Sequence, residues 1–437
     1  MTDSTNGASA DPDTLTGQLR RGRGVGVTRA LTAVDTSGTA EIVYGCVRDD
    51  PRDDHQTETR TWYLTRLITT LGLPIEPIVA HLFTPVDPHD DDEWRIDLAI
   101  DILIELANDG HPGAAEALRR YVTSGRSWEW TVNGMWERGG HRLCDGLDLM
   151  VLDRIDDDAL GRAADPTWGP WRAWAATHPR IRSAIELHQA EHRATPAQRL
   201  DVSTMGQVCT ADLVAWVRSA PNGVVRRLAM VELGRRGDPV ILDLAEIASL
   251  RNAFGQTPGL GGALRALGPA AADRARAWTT GNDQPLADHA VAVLADHGDQ
   301  RDIPMLLTTL AKAAHDDNWC AAEDPARGLG RLRASEATAT LQDLWRRTTH
   351  SYARTSILVG LCGAAPDLAP RYLDEALDDC EPGVRVIACR DAVDDPATLT
   401  RVRAHHEDPT EDEDVRTAAC QRRTGDKPTI ENTNESE

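Results

Sequence analysis

The phrase Glu-Leu-x-x-x-Gly-x-Pro occurs twice in this chain, from Glu105 to Pro112 and again from Glu232 to Pro239. Each copy reads as the corner of a helical hairpin. The Gly takes the left-handed position just past a helix end, and the Pro opens the next helix where a missing N–H costs nothing. In 222–249, Val225, Leu228, Ala229, Val231 and Leu233 form one apolar stripe, and Val240, Ile241, Leu244 and Ile247 form the next. A lone pair of such helices cannot bury both stripes, so neighbouring pairs must stack on it. A chain built this way is a solenoid.

The same pattern organises the rest of the chain. Helix-end positions recur at Leu233, Leu267, Leu294, Leu329, Leu361 and Val393, about 32 residues apart, within the range of helical repeat arrays. Residues 211–424 therefore read as regular repeats, and 30–195 as irregular helical repeats that carry eight of the twelve tryptophans. A hinge is expected at 194–210. Residues 1–28 and 425–437 lack apolar periodicity and are expected to be a disordered arm and a disordered tail. Gly22, Gly24 and Gly26 imitate a nucleotide loop, but no strand precedes them and the third Gly of that fingerprint is Val27.

Val-Arg pairs mark first helices at Val225-Arg226, Val384-Arg385 and Val415-Arg416. Together with GVVRRLAMVELGRRGDP and EPGVRVIACRDAVDDP, they resemble the short HEAT-like repeats of phycobilin lyases. The resemblance implies an all-α, right-handed α-solenoid of stacked HEAT-like helix hairpins whose usual task is to hold another protein. It also implies that the Val faces the core and the Arg bridges to an acidic corner of a neighbouring repeat.

Charge narrows the partners. Acidic residues outnumber basic ones 69 to 47, a net −22 that repels nucleic acid and anionic membrane outside any local basic patch. A cationic or neutral protein surface is the expected partner. No long apolar run is present for a membrane span and no apolar core for a secretory leader, so a cytoplasmic location is expected. The eight cysteines contain no Cys-x-x-Cys pair, which leaves no zinc knuckle or dithiol motif.

The sharpest chemical string is His188-Gln189-Ala190-Glu191-His192. On a helix, His188 and His192 share a face and could hold zinc, with Glu191 activating a bound water, as in the inverzincin metallopeptidases that the string resembles. The third ligand would have to be Glu232 or Glu246, which sit inside repeat helices with their own packing duties, so the string reads as a solvated helix face. His141, Cys144 and Asp145 read as a helix-start loop. The acidic runs Asp87–Glu93, Asp156–Asp158 and Glu411–Asp414 lack calcium-loop spacing and read as helix caps. Trp128, Trp130 and Trp136 are candidates for an exposed partner anchor, although their spacing also suits a packed core. The combined expectation is a non-catalytic protein-interaction scaffold without a cofactor. Two alternatives are a HEAT-like nucleic-acid-binding or DNA glycosylase-type protein, and a zinc metallohydrolase using His188, Glu191 and His192.

Overall fold

The computed structural model describes residues 10–424 apart from 53, 56, 85–94, 193–204, 221–222 and 253–254. The described residues form helices and no strand. None of these helices is long and apolar enough to cross a membrane. The hinge expected at 194–210 falls largely outside the described residues, as do the tail 425–437 and the acidic run Asp87–Glu93.

Both repeated corners close in the same way. Gly110 has φ +87° and Gly237 has φ +65°, a left-handed backbone that glycine adopts without a Cβ clash. The N–H after each Gly reaches back across the last turn, from His111 to Leu106 O at 2.9 Å and from Asp238 to Leu233 O at 3.1 Å. Carbonyls that the helix end leaves without partners are thereby satisfied. Pro112 opens the helix Pro112–Ser124, and Pro239 caps Val240–Ala245.

The chain divides into two compact units. Residues 1–196, 349–352 and 373–437 form the first, and 197–348 with 353–372 form the second. This division differs from the single C-terminal block 211–424 expected from the repeats.

In the second unit the helices Gly223–Arg235, Leu260–Leu267, Gln284–His297, Trp319–Arg331 and Ala353–Ala364 pack successively on one another. Small residues set the spacing. A Cβ on Gly234 would lie 2.6 Å from Ala263 Cα, and one on Gly330 would lie 2.7 Å from Gly360 Cα. Leu233, Leu267, Leu294, Leu329 and Leu361 are buried at the helix ends. Val231 departs from the expected stripe and is 45 % exposed, because the 3.6-residue period turns Ala229, Met230 and Leu233 inward instead. Val393 is exposed as well, since it follows the end of the helix Pro382–Asp391.

In the first unit, residues 10–28 depart from the expected disordered arm. Leu15–Arg20 and Gly24–Leu31 are helices, and Leu19, Val27 and Ala30 enter the core. These helices are short and glycine-rich, so their support is tertiary. Arg23 pairs with Glu375 at 2.9 Å, and the Cys380 N–H donates to Gly22 O at 2.8 Å. The glycines allow the close approach: a Cβ on Gly24 would lie 1.9 Å from Glu375 O. Arg60 adds a buried bridge, donating to Cys380 Sγ at 3.1 Å and Glu58 at 3.1 Å. Ser351 then ties Glu58 to Glu381 through its N–H and its hydroxyl. These links place 373–424 in the same unit as the N-terminal helices.

Candidate functional site

At the centre of the first unit lies the helix Asp97–Asn108, whose apolar side chains are buried almost all round. A helix apolar on every side belongs inside a protein. This one carries a single polar row. Asp97, Asp101 and Glu105 stand four residues apart on one face, and Asp109 follows at the helix end. All four line a cleft of about 780 Å³ within the first unit.

Further lining comes from Thr61–Thr70, which packs against Asp97–Asn108 and contributes Trp62, Thr65 and Arg66, together with Arg385 and Asp408 from the C-terminal helical region. Trp128–Cys144 supplies Trp130 and Arg138. Trp62 is fixed on several sides. Its indole N–H donates to Asp408 at 3.1 Å, and the guanidinium of Arg385 lies 4.0 Å from its ring centroid. Arg385 is itself held by a two-pronged contact to Glu411, at 2.6 and 3.1 Å, and the His405 imidazole N–H donates to the same carboxylate at 2.8 Å. The hydrogen bond from His405 and the charge of Arg385 hold the Glu411 carboxyl at about 2, against burial that alone would raise it. Glu411, expected as a helix cap, is thus a buried anchor.

Seven carboxylates and four arginines line the cleft. Each arginine is already matched. Arg52 is clasped by Asp50, Arg66 by Asp378, Arg138 by Asp101 and Arg385 by Glu411. Three of those four partners stand outside the lining, so the carboxylates that face the cavity retain an excess of negative charge.

Asp97 is the extreme member. It is 6 % exposed and makes no hydrogen bond or ion pair among the described residues. Burial, reinforced by the charge of Asp101, pushes its carboxyl up to about 7, although Arg52 and His55 pull the other way. Asp101 and Glu105 are also raised, by burial, with Arg138 opposing. Asp109 is raised by burial and then by Asp408. On the adjoining helix the Thr65 hydroxyl is buried without a hydrogen-bond partner. A concave site with convergent polar groups, a shifted carboxyl and orphaned donors and acceptors is where ligand chemistry is sought.

The tryptophan candidates separate. Trp128 is buried against Trp171, with ring centroids 6.3 Å apart. Trp136 packs partly buried against the core and against His141 at 4.5 Å. Trp130 is half exposed and reaches the cleft. His188, Glu191 and His192 fall on the helix Pro179–His192, but their side chains lie outside the described residues. Among the described residues no group of three His, Cys, Asp or Glu side chains could hold a metal ion. Cys144 is buried, and His141 and Cys144 lie in the short helical segment that starts after a break at Gly140, where φ is +57°. Asp156 does cap its helix, accepting from the Ala159 N–H at 2.8 Å.

The acidic row was readable as Asp-x-x-x-Asp-x-x-x-Glu inside the apolar stretch DLAIDILIEL. Carboxylates at four-residue spacing in an otherwise apolar helix mark a buried polar face. Trp62, Arg385 and Asp408 gave no such signal, because they come together only on folding.

No protein-family model, no curated protein and no solved structure matches this chain.

Proposed function

We propose that this chain is a binding protein whose first unit takes up a cationic group in the acidic cleft. The observation that carries the reading is Asp97. A buried carboxylate without a partner destabilises the fold that holds it, and an incoming cation would remove that penalty. The surplus of carboxylates supports the same reading, since it repels phosphate and favours ammonium or guanidinium. Trp130 offers an aromatic face on which a cation or its aliphatic arm can rest. The glycine-spaced helix stack of the second unit fits a HEAT-like scaffold, and in this proposal the chain is an adaptor that combines such a scaffold with the cleft.

Tryptophan fluorescence of the full chain at pH 8 tests it. Agmatine and cadaverine should change the emission with one saturable site, and Asp97→Asn should weaken that response. A short DNA duplex should give no response. Binding of the duplex without binding of the amines would overturn the reading.

A further inference from the structure

The row on Asp97–Asn108 has a direction as well as a charge. Asp97 is at its buried end, Asp101 and Glu105 follow, and Asp109 is exposed at the other end. Four residues of helix advance about 6 Å, close to the separation that three or four methylenes put between two ammonium groups. The row thus presents carboxylates at the repeat of a linear polyamine.

Resting on the cation-binding reading above, we propose that the ligand of this cleft is a linear polyamine with three or four nitrogens, lying along the Asp97-to-Asp109 row. One terminal ammonium sits at Asp97, and Thr65 of the adjoining helix Thr61–Thr70 lines the same cleft with a buried hydroxyl that has no hydrogen-bond partner. Asp97 and Thr65 belong to different helices and both are more than nine-tenths buried, and the Thr65 hydroxyl has no hydrogen-bond partner. The next ammonium meets Asp101, which it shares with Arg138 at 2.7 Å, and the third meets Glu105, from which Arg138 stands 3.9 Å away. A fourth nitrogen, present only in a tetra-amine, reaches Asp109, beside Asp408 at the same cleft. Trp130 lines the path and gives the methylene segments an apolar surface. A single guanidinium or ammonium would satisfy one end of this row only. A planar aromatic cation would leave the same carboxylates unmet.

Isothermal titration of the full chain in 0.15 M salt at pH 8, an experimental condition set to screen exposed charges, distinguishes the possibilities. Spermidine and spermine should bind at one per chain, at least about tenfold more tightly than cadaverine or agmatine, because each added charge-assisted hydrogen bond contributes about that factor. Asp97→Asn should reduce the affinity for spermidine and for spermine by about tenfold, whereas the exposed Asp109→Asn should do so for spermine alone, because only the fourth nitrogen reaches the end of the row. Agmatine and spermidine binding with equal affinity would overturn the polyamine assignment and leave the cation site standing. Absence of binding by any amine would overturn both. Several weak spermidine sites per chain, unchanged by Asp97→Asn or displaced by millimolar magnesium, would show surface condensation only and overturn the assignment.

Discussion

Replacing Asp97 by Asn should make the protein more stable at neutral and alkaline pH. The carboxyl of Asp97 moves from an ordinary 3.8 to about 7 on folding. At about 1.4 kcal/mol per pH unit, keeping it ionised in the fold costs about 4 kcal/mol, an upper figure for a site that water can reach. The sign follows from the raised value. Below about pH 4 both folded and unfolded chains carry the proton and the penalty is absent. Between 4 and 7 the unfolded chain releases it first, so stability falls as pH rises, and above 7 the full penalty remains. Asn has nearly the same shape and no charge, so it escapes the penalty. Urea unfolding of the wild type and Asp97→Asn at pH 4.5, 6 and 8 measures the difference directly. Subtracting one protein from the other removes the common titrations of the groups that face Asp97, namely Asp50, Arg52 and His55 on the loop before Thr61–Thr70 and Asp101 on its own helix. The variant's advantage should be small at pH 4.5 and reach a few kcal/mol at pH 8. An advantage that is absent at pH 8, or a loss of stability there, would show that Asp97 is not held unpartnered and would refute the reasoning.

Other consequences are more local. Leu233→Ala should cost about 2–5 kcal/mol, because Leu233 is fully buried, whereas Val231→Ala two residues away should cost under about 0.5 kcal/mol; hydrogen exchange should place the Leu233 loss in the second unit. Gly22→Ala should destabilise the first unit by more than about 1 kcal/mol, since φ is +67° and a Cβ would lie 2.1 Å from Cys380 Sγ, and thermal unfolding would detect it. Arg385→Met should cost about 3–5 kcal/mol by stranding Glu411 in the interior. The Glu411 contribution is complete above its ordinary 4.5 and is lost as pH falls toward 2, so the gap between wild type and Glu411→Gln should close on acidification.

The parts of the fold that sequence made legible are local ones. Gly110 and Gly237 announced their corners because a left-handed residue before Pro leaves few alternatives, and Leu233 announced its burial through helical spacing. Val231 misled because apolar identity outweighed the period, which places Met230 inward. The N-terminal helices were hidden for a different reason. Arg23, Gly22 and Gly24 gain their structure from Glu375 and Cys380, more than 350 positions away, and nothing in the local pattern signals that contact. The cleft combines both cases. Its acidic row was written in the helix, while Thr65, Trp62 and Asp408 were supplied by folding.

The most direct test is a carbon-13 NMR titration of the aspartate carboxyls, with Asp97 assigned by its loss in Asp97→Asn, recorded without and with saturating spermidine. Asp97 should titrate near 7 in the free protein, and spermidine should shift its midpoint down by more than one pH unit, because the bound ammonium favours the carboxylate. A free midpoint near 4, or one near 7 that spermidine leaves unmoved, would contradict the account.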